Sequence, residues 1–182
     1  MNRPLFLLIL FLLPAFPGAS SAEEASDREY SIKSVFLYNF TKFIRWPEGS
    51  APNYNQDGLK LCLVGENPFG DILEQLAEKV SAKGKKMVVK YPPVSMAMTS
   101  CHLLFVSSSE KKRLARILDW VNNSPVLVVG DTPEFEGMGV GINFYIQDNK
   151  IRFKVNKEAV EQSGLKISSE LLGLAEMGGG AK

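Results

Sequence analysis

Between Tyr30 and Pro47 the chain reads YSIKSVFLYNFTKFIRWP. Ile32, Phe36, Phe40 and Phe43 follow helical spacing, so they share one face of a helix. Val35, Leu37, Tyr38 and Ile44 fall on other faces, and only Lys33, Lys42 and Arg45 are charged. A helix with so narrow a polar stripe is buried between the layers of a core, or its second face is covered by a partner. Both outlets stay open from sequence. Pro47 disfavours the α region for Trp46, which predicts a helix end near Arg45 or Trp46.

Beyond Pro47 the chain alternates between strand and helix signals. Leu59–Val64 is a short apolar run ending at Gly65, and a helix is expected from Pro68 to about Ser81 with Leu73, Leu76, Ala77 and Val80 inward. Met87–Tyr91 and Leu103–Val106 read as strands, and one of Ser107, Ser108 or Ser109 is placed to cap a helix over Glu110–Val121. Pro125–Val129 has no polar side chain, as expected of a parallel strand buried on both faces. Ile142–Ile146 and Lys150–Val155 flank Gln147-Asp148-Asn149 as a hairpin. Lys157–Gln162 reads as a short helix, and Ser168 or Ser169 caps a last one over Glu170–Met177. The predicted fold is α/β with three layers: a mixed, mostly parallel sheet, helices on both faces, and a C-terminal antiparallel hairpin.

Ahead of this domain, Met1–Ala22 has the form of a secretory signal. Arg3 precedes the apolar run Leu5–Leu13, and Ser20 and Ala22 are small residues suited to cleavage after Ala22. The apolar run is too short to span a bilayer as a helix. Residues 1–22 are therefore expected to be a signal peptide and residues 23–182 a single exported domain. Ala22–Asp27 reads as a polar leader and Gly178–Lys182 as a disordered tail. With Arg3 removed, the 21 basic residues become 20, against 20 acidic ones. That balance gives no footprint for nucleic acid or for an anionic membrane surface.

Export puts Cys62 and Cys101 in an oxidising compartment, where a disulfide is the default and a metal or redox pair the alternative. Their spacing excludes a CxxC motif, and one histidine is a poor complement of metal ligands.

Catalytic groups are scarce. His102 is the only histidine, and Ser107–Ser109 lie at the far end of its strand, about 17–24 Å away at strand rise. A packed or capping role suits His102 better than catalysis. There is no GxSxG elbow, and GENPFG (Gly65–Gly70) is neither a Walker loop nor GxGxxG. In such sheets ligands sit beyond the carboxyl ends of parallel strands, so a ligand crevice would be walled by Gly65, Phe69, Ser107 and Asp131, with Phe135 beside them. The chain is expected not to be an enzyme and to need no metal or cofactor.

Five blocks in order resemble the YfiR family of bacterial periplasmic proteins. They are FLYNFTKFIRWP (Phe36–Pro47), LCLVGENPFG (Leu61–Gly70), CHLLFVSSSE (Cys101–Glu110), PVLVVGD with the Gly137–Phe144 segment, and Ile151–Ala175. The resemblance covers essentially all of residues 23–182. It implies a periplasmic repressor that holds an inner-membrane diguanylate cyclase, or a similar sensor, inactive by binding its periplasmic portion. An outer-membrane lipoprotein of the OmpA type would sequester the repressor, and release would raise cyclic-di-GMP and favour biofilm. It also implies a homodimer. The matching cysteines are Cys62 and Cys101; a further pair that some members carry near the late hairpin has no counterpart here.

On this reading the working part is a surface. Tyr38, Phe43 and Trp46 on the aromatic helix, and Leu171 and Leu172 with Leu174 and Met177 on the last helix, are the expected partner-binding residues, with core packing as the alternative for the leucines. The other function class is a periplasmic small-ligand-binding sensor using the crevice at Gly65, Phe69, Ser107 and Asp131.

Overall fold

The structure, a computed structural model, describes residues 19–53 and 56–177. Most of the expected signal peptide and the tail Gly178–Lys182 lie outside them. Helix α1 runs Ala19–Phe43 and is followed at once by the short strand β1, Ile44–Arg45. The stretch expected to be a polar leader is thus helical, and α1 ends before Arg45 because β1 pairs antiparallel with β8 (Lys166–Ile167).

Strands β2 (Leu59–Val64), β3 (Met87–Lys90), β4 (Leu103–Val106), β5 (Leu127–Gly130), β6 (Ile142–Gln147), β7 (Lys150–Val155) and β9 (Glu176–Met177) form one sheet. Their order is β3-β2-β4-β5-β6-β7-β9. All neighbours run parallel except β6 and β7. The mixed, mostly parallel sheet read from the sequence is the one observed.

Period-2 alternation sorts the strand side chains into two cores. Leu59, Leu61, Leu63, Leu103, Phe105, Leu127 and Val129 face one way, towards α1 and helix α2 (Ile72–Ser81), which contributes Leu73, Ala77 and Val80. Cys62, Val64, Leu104, Val106 and Val128 face the other way, towards Leu114, Ile117 and Val121 of helix α3 (Leu114–Val121). On the first face Phe40 of α1 lies 4.8 Å from Phe153 and 5.5 Å from Phe144, ring centre to ring centre, and Phe36 lies 5.8 Å and 6.0 Å from the same two rings. Edge-on and offset aromatic pairs at these separations add about 0.5–1.5 kcal/mol beyond their buried area. They fasten α1 across the antiparallel end of the sheet.

Several boundaries differ from expectation for local reasons. Pro68 precedes α2 rather than opening it, because Asn67 Oδ1 accepts the Phe69 N–H in a tight turn. A 3-10 segment, Ser108–Arg113, precedes α3, and none of the three serines caps that helix. Ser109 Oγ instead accepts the Glu66 N–H at 2.9 Å. Helix α4 (Lys157–Gln162) is capped by Asn156 and spans the residues expected of it. Helix α5 (Ser169–Leu174) is capped by Ser168 as expected but stops early, since Glu176 and Met177 pair with β7.

The disulfide joins Cys62 on β2 to Cys101 just before β4, with Cα atoms 6.0 Å apart and a sequence separation of 39 residues. It lies in the α3-side core beside Met98. Replacing both cysteines by serine should lower stability by about 3–4 kcal/mol, the chain entropy returned to the unfolded state. Urea unfolding of wild type and double variant, each with and without reductant, measures this; a wild-type midpoint indifferent to reductant would refute it.

Candidate partner-binding surface

The position of α1 is fixed by a buried charge. Lys33 points inward, with Nζ 2.7 Å from Asp131 Oδ2 and 2.5 Å from Glu29 Oε1. Tyr30 donates its hydroxyl to the same Asp131 oxygen at 3.0 Å, and its ring lies 4.4 Å beneath the Lys33 ammonium. Burial, then the neighbouring Asp131 carboxylate, hold the Tyr30 phenol well above its ordinary range, so it stays a donor. Asp131 directly follows β5, so this cluster ties α1 to the carboxyl end of the parallel sheet.

The tie rotates α1 relative to its sequence-based reading. The inward stripe is Lys33, Leu37, Phe40 and Thr41; of the face shared by Ile32, Phe36, Phe40 and Phe43, Phe40 is buried, Phe36 and Phe43 are half-buried against the core, and Ile32 is exposed. A lysine on such a helix suits the solvent face by residue type; a long-range carboxylate partner draws Lys33 in. Ile32 and Val35 are turned outward in consequence, at 42% and 49% exposure.

Those two side chains are part of a larger apolar surface. Ile146 at the hairpin end is 56% exposed and Leu174 at the end of α5 is 67% exposed. One groove brings Ile32, Ile146 and Ile151 together, a second Ile32, Val35 and Phe36, and a third Phe36, Ile151 and Leu174. Because the grooves share Ile32, Phe36 and Ile151, they make one continuous surface across α1, the β6–β7 hairpin and α5. Four of the exposed large hydrophobic side chains gather there, and such gathering marks docking surfaces.

The residues expected to bind a partner are placed differently. Trp46 is only 8% exposed and Leu171 only 2%, both within the core. Trp46 also donates its indole N–H to the Pro125 carbonyl. Neither offers a free apolar face in this conformation. Tyr38, Phe43 and Leu172 are half-buried and packed against the same core. Leu174 alone of the α5 candidates is strongly exposed among the described side chains. The sequence groups Ile32 with Phe36, Phe40 and Phe43 and places Ile146 in a strand, where the structure also has it; the exposure of both depends on the rotation of α1 and on the hairpin end, which local sequence does not carry.

The expected ligand crevice is filled. The strand order reverses between β2 and β4, where such sheets bind ligands. Here Phe69, Ser107 and Phe135 are buried, and Asp131 is engaged by α1. Gly65 is exposed with φ +96°, and a Cβ there would fall 2.5 Å from Ser109 Oγ and 2.8 Å from Glu110 Cγ. The loops after β2 and β4 therefore close on each other. His102 Nδ1 accepts the Lys60 N–H at 2.9 Å, and its ring meets Trp46 edge-on at 6.2 Å. It secures main chain beside the disulfide, the packed role expected for it.

A profile of the YfiR/HmsC-like family matches residues 30–176. The chain belongs to that family. The match begins at Tyr30, the first aromatic of the clasp on Asp131, and ends in β9, so it encloses the whole sheet. Membership of the YfiR/HmsC-like family supports a regulatory rather than a catalytic role, in periplasmic cyclic-di-GMP signalling. Among the described residues no helix is long and apolar enough to cross a membrane.

This geometry has two measurable outcomes. Asp131→Ala should cost about 3 kcal/mol by leaving Lys33 buried with only Glu29, and adding Lys33→Met should restore much of that loss. Chemical unfolding of the single and double variants measures the coupling, and additive losses would contradict it. The second concerns His102. Burial, then the positive Lys60, lower its pKa below the ordinary 6.5. Below that pH the unfolded chain gains a proton that the folded chain refuses, so this contribution is intact above pH 6.5 and is lost as pH falls through the folded value. His102→Asn, which keeps an acceptor for Lys60 N–H, should show a flatter stability profile than wild type over that acidic window in thermal melts.

Proposed function

We propose that this chain is a periplasmic repressor, exported by a signal peptide cleaved after Ala22, that holds an inner-membrane diguanylate cyclase inactive by binding its periplasmic portion. The observation that carries this reading is the continuous apolar surface of Ile32, Val35, Ile146, Ile151 and Leu174, on a chain of the YfiR/HmsC-like family whose strand-end crevice is filled. A surface of this kind gains free energy when another polypeptide removes it from water, at about 25 cal/mol per Å² of apolar area. Tyr38, Phe43 and Leu172 are half-buried against the core, and Trp46 and Leu171 are within it.

In this reading the repressor works by occupancy. When an outer-membrane lipoprotein of the OmpA type sequesters it, the cyclase is freed, cyclic-di-GMP rises and biofilm is favoured. As a homodimer the chain would present the same surface twice to its membrane partner.

The test is genetic and chemical. In a strain carrying the chain and its cyclase, Ile32→Asp and Leu174→Asp should raise cyclic-di-GMP towards the level of a deletion strain, because a charge on the apolar surface opposes docking. Both side chains are exposed, so thermal melting of the purified variants should stay close to wild type. Unchanged cyclic-di-GMP in the deletion strain would sink the regulatory reading.

A further inference from the structure

The outer edge of β7 is only partly paired. The turn between β6 and β7 has just Asp148 and Asn149 at its tip, with φ of 52° and 56°, the positive pair of a type I′ turn. That turn makes Gln147–Lys150 a hydrogen-bonded pair, and alternation makes Tyr145–Arg152 and Asn143–Lys154 the next ones. The main-chain groups of Ile151, Phe153 and Val155 therefore point away from β6. Strand β9 meets β7 only at Lys154 and Val155. Ile151 is left with an outward N–H and C=O that no described residue bonds.

A slot runs along this open edge. It is lined by Phe36 of α1, by Lys150, Ile151 and Arg152 of β7, and by Leu174 and Ala175. Both basic residues are exposed, and neither has an acidic partner among the described residues, whereas Lys154 further along β7 is matched by Glu136. The edge thus offers three things together: unpaired main-chain groups, an apolar strip and unmatched positive charge.

We propose that this edge receives an extended acidic and apolar segment of another protein, which adds as a strand beside Lys150–Phe153. Main-chain bonds to Ile151 supply the pairing, an apolar side chain enters the slot between Phe36 and Leu174, and carboxylates meet Lys150 and Arg152. The proposal rests on the partner-binding reading of the same surface and names how the partner is held.

The probe is a short capped peptide of alternating valine and glutamate, compared with its N-methylated form and with a valine–lysine counterpart. Binding is followed by fluorescence anisotropy against the exported chain. The acidic peptide should bind. N-methylation of the peptide, or Ile151→Pro in the protein, should each weaken binding about five- to tenfold by removing one main-chain donor. Arg152→Glu should reverse the preference towards the lysine peptide. No binding of the acidic peptide, or binding indifferent to N-methylation, overturns the proposal. So does a fall in the mass of the unliganded protein on Ile151→Pro, which would assign the edge to a second copy of this chain. The N-methylated peptide is tested on wild-type protein and Arg152→Glu changes an exposed side chain, so the outcome does not hang on the fold of the proline variant. In cells, Ile151→Pro that still represses beside a Leu174→Asp that does not would remove strand addition and leave the regulatory reading standing.

Discussion

A sheet buried on both faces needs two cover layers, and here one of them is set by a single buried ion pair. Lys33 and Asp131 meet at 2.7 Å with Tyr30 as an additional donor. Two charges taken out of water are costly unless their geometry and hydrogen bonds are complete. The cluster therefore tolerates few orientations of α1. Once Lys33 is inside, helical spacing leaves Ile32 and Val35 outside, and Phe36 and Phe40 lie over Phe144 and Phe153. The exposed apolar surface is thus a geometric consequence of an interior electrostatic contact.

The same cluster also helps to fill the strand-end crevice among the described residues. In doubly wound sheets, loops diverge where strand order reverses and leave a cleft. In this chain Ser109 bonds the main chain at Glu66, Gly65 allows the close approach, and Phe69 packs edge-on against both Tyr30 and Phe105, at 5.0 Å in each case. Aromatic bulk and α1 occupy the volume that a ligand would take. Exposed apolar side chains stand out instead at the antiparallel end, where the edge of β7 is incompletely covered.

Much of the fold was legible because its signals are local. Runs such as Leu59–Val64 and Leu103–Val106 carry the hydrophobicity of doubly buried strands, and the Asp148-Asn149 turn announces the hairpin. Pairing of Cys62 with Cys101 was expected from compartment and count. The surface was less legible because solvent exposure is a relation between distant segments. Trp46 looks like an anchor by residue type, yet it is buried with its N–H on Pro125, many residues away. Lys33 looks like a solvent residue until Asp131 is placed beside it. Ser109 looks like a helix cap, but its oxygen serves the Glu66 N–H across the sheet. In each case a partner far along the chain overrode a sound local preference.

An open strand edge is hazardous, since unpaired main-chain groups recruit other chains indiscriminately. Three features confine that hazard here. The edge is short, because β9 already covers Lys154 and Val155. Lys150 and Arg152 place like charges beside it, which opposes the approach of an identical edge. Leu174 and Phe36 narrow the approach to an extended chain. The charges that protect against self-association also select among foreign chains, since an acidic segment meets attraction where a second copy of β7 meets repulsion. In the proposed strand addition, protection and recognition therefore come from the same pair of side chains, Lys150 and Arg152.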